Sequence, residues 1–239
     1  MQVEMVLQGK GGVGKSMIAS LLAQHAIAHN SKAMCIDTDP VNATFSGYRA
    51  FDVETLDIME GDDINPRTFD HLIERIMTAE ADRMIIDNGA STFIPLCSYL
   101  LQNDVAGLLK EAGHSIRLHT VITGGQAMQD TLEGFASLCR NIPDAGVVVW
   151  LNEYFGKVAY NGKPFESSKV YEKNQARVEA IVTVPAVKPE TFGHDMHKML
   201  TRRITFVEAI ASPDFTIMER QRLKMMQRTL FANMDKAHL

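Results

Sequence analysis

Gly9-Lys10-Gly11-Gly12-Val13-Gly14-Lys15-Ser16 is the stretch of this sequence that decides its fold. It satisfies the pattern GxxxxGK[ST] in full, directly after the apolar run 3–8 and directly before a helical pattern. A glycine-rich turn between a strand and a helix lets backbone N–H groups point inward at the helix N-terminus, where they bind phosphate. The stretch therefore predicts a phosphate-binding loop on an α/β scaffold.

Two side chains at the end of this loop have separate chemical roles. Lys15 places an ammonium group within reach of the β- and γ-phosphate oxygens of a nucleotide, and Ser16 offers a hydroxyl to Mg²⁺. The predicted nucleotide-binding residues of the loop are Gly11, Gly12, Val13, Gly14, Lys15, Ser16 and Met17.

Composition is that of an ordinary globular protein, with 239 residues, 46% hydrophobic and 22% charged. We expect one α/β domain over residues 1–239.

The net charge of −5 argues against a protein that binds mainly to the phosphate backbone of a nucleic acid. The longest run of apolar residues and glycine, 145–151, is too short to span a membrane. Because the loop at Gly9 and the strand before it use the first residues, we expect no cleavable leader. Three widely spaced cysteines without a CxxC pair favour a reduced, cytoplasmic protein.

Short apolar runs alternate with helical patterns along the whole chain. The predicted strands are 3–8, 33–37, 83–87, 117–123, 146–152 and 180–184, and the predicted helices are 16–29, 66–79, 92–112, 127–140, 190–211 and 217–235. Asn65 and Pro66 look like the N-cap and first residue of the second helix. This alternation predicts a doubly wound, mostly parallel sheet with helices on both faces and ligands at the carboxyl ends of its strands.

One polar segment, 154–177, interrupts the alternation. Asn161-Gly162 is a strong two-residue hairpin signal, and Pro164 would confine the second arm to an edge. We predict a small exposed hairpin or flap here.

Acidic residues follow two of the predicted strands. Asp37 and Asp39 come at and after the end of strand 33–37, and Asp87 ends strand 83–87. A carboxylate at this edge of the sheet can contact a γ-phosphate through one bridging water molecule. An acid at the end of a buried strand can bind Mg²⁺ through water. An acidic pair that only caps a helix remains the alternative for the first two.

The string KGGVGKS at residues 10–16 resembles the signature of the deviant Walker A ATPases of the ParA/MinD group, KGGxGK[ST]. The resemblance implies a P-loop NTPase fold, bound ATP and Mg²⁺, ATP hydrolysis and an ATP-dependent homodimer. It also implies that Lys10 reaches across the dimer to the partner's nucleotide and acts in catalysis together with Lys15. A solvated lysine is the alternative for Lys10.

The same resemblance assigns roles at the strand ends. It implies that Asp39 positions the attacking water, that Asp37 acts near the metal with Ser16 and Asp87, and that Asn152 contacts the base. The guanine-binding pattern NKxD has Phe155 at its last position here, which favours adenine. Pro185 lies beside the base in relatives, although a simple loop proline fits as well. Asn88-Gly89 departs from the prolines that commonly follow the acid in the family.

The stretches 37–48 and 152–156 and the basic C-terminal helix resemble one branch of the group, the TraL-like proteins of conjugative plasmids. This branch implies a protein partner in a DNA-transfer apparatus. A P-loop small-molecule kinase and a DNA-segregation ATPase remain alternatives, the latter resting on a weak basic cluster of Lys188, Lys198, Arg202 and Arg203. The apolar face of helix 217–235 either packs on the sheet or binds a membrane.

Overall fold

The computed structural model of this chain describes residues 1–39, 42–60, 63–160 and 162–239. Pro40 and Val41 of the acidic stretch, and Asn161 of the predicted hairpin turn, lie outside the described residues. The strands are β1 (Gln2–Val6), β2 (Ala33–Asp37), β3 (Glu54–Thr55), β4 (Met59–Glu60), β5 (Asp63–Ile64), β6 (Arg83–Asp87), β7 (Ser115–Thr123), β8 (Gly146–Asn152), β9 (Ala159–Tyr160), β10 (Lys163–Pro164) and β11 (Val178–Val184). The α-helices are α1 (Lys15–Ala28), α2 (Thr68–Thr78), α3 (Phe93–Gln102), α4 (Val105–Glu111), α5 (Met128–Asn141), α6 (Lys169–Asn174), α7 (His194–Thr201), α8 (Phe206–Ala211) and α9 (Ile217–Lys236).

Seven strands form one sheet in the order β11-β8-β7-β1-β6-β2-β3, and every neighbouring pair runs parallel. In this register Val6 of β1 pairs with Asp87 of β6, and Asp37 of β2 pairs with the same residue on its other side. Because parallel strands end at the same edge of a sheet, the predicted acidic residues lie next to the loop that follows β1.

Each face of the sheet carries its own apolar core. Val3 and Met5 of β1 pack with residues of α2, α3, α4 and α5, while Val6 packs with residues of α1, α7, α8 and α9. Side chains alternate between the two faces of a strand, so a strand buried on both faces reads as a continuous apolar run. The two cores confirm the predicted doubly wound, parallel α/β fold of a P-loop NTPase.

Two stretches predicted as single helices are each divided in the structure. The prediction 92–112 is wrong because Asp104 has a left-handed backbone (φ 44°) and its side chain accepts a hydrogen bond from the Gly107 N–H, which starts α4. The prediction 190–211 is wrong because Arg203 (φ 53°) ends α7 and Thr205 begins a capping box on α8. Neither break contains a glycine or proline, so the spacing of apolar residues predicts a single helix in each stretch.

The segment between β2 and α2 contains features that the sequence pattern did not reveal. Helix α2 begins at Thr68, so the predicted start at Pro66 is wrong; the Asn65 side chain accepts a hydrogen bond from the Arg67 N–H at 2.9 Å in a turn before it. The strands β3, β4 and β5 are two residues long. Two residues are too few to show a period, and this is why they were missed.

The predicted hairpin in 154–177 is present, since β9 pairs antiparallel with β10. The expectation of an exposed flap is wrong for its flanks. Val158 and Phe165 are buried, and the Phe165 ring packs edge-on against Phe135 of α5 with centroids 5.7 Å apart. The short helix α6 follows, so the segment is anchored to the α5 side of the sheet.

Helix α9 packs its apolar face on the rest of the protein. This decides between the two predicted roles of that face, packing on the sheet and binding a membrane. Leu223, Met226, Leu230 and Met234 are buried in the same core as α1 and α8. Packing on the sheet side is therefore the correct interpretation. Among the residues that the structure describes, no helix is both long and apolar enough to cross a membrane.

Candidate functional site

The phosphate-binding loop lies between β1 and α1, where the sequence predicts it. Gly12 (φ 74°) and Gly14 (φ 102°) have left-handed backbones, which would cost a residue with a Cβ about 1–2 kcal/mol. Gly14 is also the N-cap of α1, so the positive end of the helix dipole begins in the loop. A Cβ at Gly14 would lie 2.9 Å from Asn152 Nδ2, so space as well as conformation requires glycine here.

A cleft of about 600 Å³ lies over this loop. The predicted site residues that line it are Gly11, Gly12, Gly14, Lys15, Ser16, Met17 and Asp39. Residues that sequence reasoning did not assign line it as well: Asn42, Thr44, Tyr48, Ala90, Ser91 and Leu200. The stretch 37–48 and the loop after Asp87 could have suggested the first five. Leu200 comes from α7, which carries no motif, so only the tertiary fold brings it here.

Lys15 is buried beside the cleft. Its Nζ donates a hydrogen bond to the Lys10 carbonyl oxygen at 3.4 Å, which joins the two ends of the loop. Burial lowers the pKa of Lys15, and the carboxylates of Asp87 and Asp39 oppose that shift. The bond to Lys10 uses one of three ammonium hydrogens, and phosphate oxygens are suited to accept the others.

Asp87 is a deeply buried acid of the site, at 1% exposed. Neither of its carboxylate oxygens has a hydrogen-bond partner of normal geometry among the described residues. Burial raises the pKa of Asp87 to about 7; the nearby Ser16 hydroxyl lowers it and the Asp37 carboxylate raises it. Two unsatisfied buried oxygens beside a hydroxyl form a hard-oxygen donor set, so Ser16 and Asp87 fit Mg²⁺.

Asp37 and Asp39 have different surroundings although they are two residues apart. Asp37 is fully buried and accepts hydrogen bonds from the N–H groups of Asp39 (3.0 Å) and Ser46 (2.8 Å). Burial raises the pKa of Asp37 and these hydrogen bonds lower it. Asp39 lines the cleft, and its Oδ1 accepts a hydrogen bond from the Asn42 N–H at 3.0 Å. Asp37 therefore organises the loop after β2, whereas Asp39 lies at the cleft.

Asn88 directly follows Asp87, and its side chain links the ends of β1, β2 and β6. Its Oδ1 accepts a hydrogen bond from the Thr38 hydroxyl at 2.9 Å, and its Nδ2 donates to the Val6 carbonyl oxygen at 3.2 Å. The next residue, Gly89, lies so close to Asp39 that a Cβ would be 2.8 Å from Asp39 Oδ1. The loops after β2 and β6 thus contact each other directly at the cleft.

Asn152 braces the phosphate-binding loop. Its Nδ2 donates a hydrogen bond to the Val13 carbonyl oxygen at 2.9 Å, and its Oδ1 accepts one from the Tyr154 N–H at 3.2 Å. Asn152 is 1% exposed and, like Val13, is not among the residues that line the cleft. Pro185 follows the end of β11 and does not line the cleft either. Contact of Asn152 and Pro185 with a base stays a prediction.

Lys10 is half exposed at the tip of the loop and forms an ion pair with Asp130 of α5, with Nζ 2.7 Å from Oδ2. Its side chain does not line the cleft. Lys10 is thus paired with an acid at the surface, outside the lining of its own cleft. Sequence reasoning missed Asp130, because nothing in the motif points to the first turn of α5.

The fold, the loop and the acids at the strand ends define a nucleotide-binding P-loop domain. The chain belongs to the CobQ/CobB/MinD/ParA nucleotide-binding domain family, whose model matches residues 5–211. This confirms the family expected from the string KGGVGKS.

Within that family the chain is 54% identical over 237 residues to protein TraL of Escherichia coli, covering 99% of this chain and 98% of that protein. It is 52% identical to a second protein TraL of Escherichia coli with the same coverage. The predicted resemblance to the TraL-like branch is confirmed.

Solved structures of MinD have the same fold. The chain superposes on MinD of Pyrococcus horikoshii, solved in complex with Mg-ADP, with a TM-score of 0.57 and 15% identity over 100% of this chain and 98% of that one. It superposes on the MinC:MinD complex of Aquifex aeolicus with a TM-score of 0.55 and 13% identity, covering 97% and 96% of the two chains. At these identities the likeness establishes the fold.

Proposed function

We propose that this chain is a cytoplasmic ATP-binding switch protein that hydrolyses ATP slowly, forms a homodimer with ATP and acts in plasmid conjugal DNA transfer. The observation that carries the proposal is that Lys15, Ser16 and Asp39 line one cleft, with the unsatisfied Asp87 carboxylate buried near Ser16 and Lys15. Membership of a nucleotide-binding family supports the ligand, and the identity to TraL over nearly the whole chain supports the process.

In the proposed reaction a water oxygen attacks the γ-phosphorus, the bond from that phosphorus to the bridging oxygen of ADP breaks, and ADP and phosphate are released. Lys15 offsets phosphate charge, as P-loop lysines do. Asp39 orients the attacking water and accepts its proton. When bound, Mg²⁺ offsets the remaining phosphate charge, and Ser16 with Asp87 would hold it, with Asp37 close by.

Homodimerisation gives Lys10 a role that it lacks in one protomer. Its ammonium pairs with Asp130 across the surface, away from the cleft. In the proposed ATP-bound dimer it leaves Asp130 and contacts the nucleotide of the partner subunit. Such an isologous contact is made twice. ATP would then drive assembly by supplying the anion that Asp130 supplies in the monomer.

The product of the reaction separates this proposal from a small-molecule kinase. Purified protein with ATP and Mg²⁺ should release free phosphate slowly without any added acceptor. Phosphate that appears only on an added acceptor would contradict the ATPase assignment. Salt-dependent retention on DNA by the ATP form would instead favour a DNA-segregation ATPase.

The partner can be sought with a matched pair of variants. Asp39→Ala should hold ATP without turning it over, whereas Lys15→Ala should not hold ATP. A conjugation protein recovered from plasmid-bearing cells with Asp39→Ala and absent with Lys15→Ala would be a partner of the ATP state. Equal recovery with both variants would contradict an ATP-dependent switch.

A further inference from the structure

A cluster of three side chains outside the cleft joins the ends of the first and last helices. His25 lies in the last turn of α1, His29 follows as its C-cap, and Asp235 lies in the last turn of α9. The Nε2 atoms of His25 and His29 are 2.9 Å and 3.3 Å from the same oxygen, Asp235 Oδ1. One potential ligand atom of each residue lies within 4.8 Å of those of the other two.

The hydrogen bond made by His29 Nδ1 leaves Nε2 as an acceptor that faces the Asp235 carboxylate. His29 Nδ1 is 2.9 Å from the His25 carbonyl oxygen, which can only accept, so Nδ1 carries the proton. In the neutral ring, Nε2 then carries a lone pair, which faces a carboxylate oxygen 3.3 Å away. Two acceptors in contact repel each other, and a cation between them would remove that repulsion.

His25 faces the same Asp235 oxygen from the buried side of the cluster. Its ring is 1% exposed and packs edge-on against Phe231 with centroids 5.3 Å apart, which fixes its orientation. Its Nδ1 is buried without a hydrogen-bond partner among the described residues, whereas Nε2 points at Asp235. The ring therefore presents Nε2 to the centre of the cluster, where Nε2 can bind an ion when the proton of the ring is on Nδ1.

The electrostatic surroundings favour a cation at this point. The C-terminal ends of α1 and α9 meet here, and the negative end of each helix dipole lies at its C-terminus. His29 and Asp235 are about half exposed, so an ion can enter from solvent. The bond from His29 Nδ1 to a backbone carbonyl is the supporting interaction that orients metal-binding histidines in proteins.

We propose that His25, His29 and Asp235 form a Zn²⁺ site that fastens α9 to α1, with a solvent molecule as fourth ligand. Two imidazoles and a carboxylate are a common protein donor set for zinc. Ligand atoms about 2.0–2.1 Å from a tetrahedral zinc ion are about 3.3 Å from one another. The two N···O distances in the cluster, 2.9 Å and 3.3 Å, are close to that separation. The site lies apart from the residues that line the nucleotide cleft.

Zinc titration of the full chain tests the proposal, with excess Mg²⁺ present to occupy the nucleotide site. Calorimetry should show one equivalent of Zn²⁺, and bound Co²⁺ should give the intense visible bands of a tetrahedral ion. His29→Ala and Asp235→Asn should each weaken Zn²⁺ binding by at least about 100-fold. Losing a residue that only supports a metal ligand already costs about 10–100-fold in metal affinity, and a lost ligand should cost no less. At a 100-fold excess over its Kd, zinc should raise the melting temperature by about 5 °C or more.

His71→Ala is the matched control, because His71 is an exposed histidine beside a carboxylate, 3.6 Å from Glu74 on α2, without a second histidine in the pair. It should bind Zn²⁺ like the unmodified chain. Both test positions are about half exposed, so their variants should fold, and circular dichroism checks this. No zinc binding by the unmodified chain, or equal binding by His29→Ala, would show that the cluster is only an imidazolium–carboxylate pair and overturn the proposal.

Discussion

Lys15 and Asp87 are both buried at the site, and each has bonding capacity left to use. The ammonium group of Lys15 makes one hydrogen bond, to a backbone carbonyl, and burial lowers its pKa. The Asp87 carboxylate has no partner of normal geometry among the described residues. An unsatisfied buried polar group costs about 1–3 kcal/mol, so both residues gain when a phosphate and a cation arrive together. Under the proposed function, a nucleotide and Mg²⁺ bound together would satisfy both residues.

Lys15→Ala removes one charge-assisted contact to phosphate. Such contacts are worth about 1.5–3 kcal/mol, so we expect ATP affinity to fall by roughly 10–150-fold, measured by calorimetry. Lys110→Ala, on an exposed position of α4 away from the cleft, is the control and should bind ATP normally. Normal ATP binding by folded Lys15→Ala would contradict the assignment of the loop.

Asp39→Ala and Asp37→Ala should separate chemistry from folding. Asp39 lines the cleft, so its loss should leave ATP binding intact and reduce phosphate release by ~10²-fold or more, typical of a lost general base. Asp37 accepts two backbone N–H groups in a buried position, so its loss should lower the free energy of unfolding by about 1–3 kcal/mol. Phosphate release assays and urea unfolding measure the two effects. If Asp39→Ala hydrolyses ATP normally, another carboxylate activates the water.

Three neighbouring strands share a buried polar network at the centre of the sheet. The Trp150 indole N–H of β8 donates to His119 Nδ1 of β7 at 2.9 Å, so the proton of the neutral imidazole is on Nε2. That nitrogen is 2.7 Å from Glu4 Oε2 of β1, and Arg83 and Arg117 lie 3.7 Å from the other oxygen. Burial by itself raises the pKa of Glu4, but His119 and the two arginines outweigh it and hold this pKa below 4.5. The network fixes β1, which leads into the loop.

Glu4→Gln should destabilise the sheet without touching the cleft. A hydrogen bond to a charged group contributes about 1.5–3 kcal/mol, and we expect a loss of that size in the free energy of unfolding at pH 7. Because the folded-state pKa of Glu4 is depressed, its contribution is present above pH 4.5 and is lost as the pH falls through the folded-state value. The difference between the two proteins in urea unfolding should therefore shrink below pH 4.5. A constant difference across this range would mean that the charge of Glu4 contributes nothing.

The whole molecule places the signature lysine and α5 within reach of each other. Lys10 follows β1 in sequence, whereas Asp130 lies some 120 positions later in the first turn of α5, and the sheet order β7-β1 brings them together. Half-exposed ion pairs of this kind contribute about 0.2–1 kcal/mol. A pair this weak can hold Lys10 in the monomer and still exchange for a phosphate contact in the proposed dimer.

Lys10→Ala and Asp130→Asn should shift dimerisation in opposite directions. Losing two lysine contacts should weaken the ATP dimer by about 3–6 kcal/mol. Releasing two ion pairs should strengthen it by about 0.4–2 kcal/mol, or about 2–30-fold in the association constant. Light scattering with ATP and Mg²⁺, in an Asp39→Ala background that blocks turnover, measures both. Dimerisation of Lys10→Ala equal to that of its parent would overturn the role of Lys10, and weaker dimerisation of Asp130→Asn would overturn that of the pair.

The sequence by itself determined the parallel α/β fold, the loop 9–16 and the acids at the ends of β2 and β6, because each of these depends on neighbouring residues. A strand buried on both faces must be apolar throughout, and a loop that binds phosphate with its backbone needs glycine at Gly12 and Gly14. Only the tertiary structure decided what depends on distant parts of the chain. It placed Asp130 beside Lys10, Leu200 in the cleft and Asp235 beside His25 and His29. It also placed the Asn152 side chain against the loop and ended α7 at Thr201, before the left-handed Arg203, since packing against remote residues outweighs the weak local preferences of an α-helix.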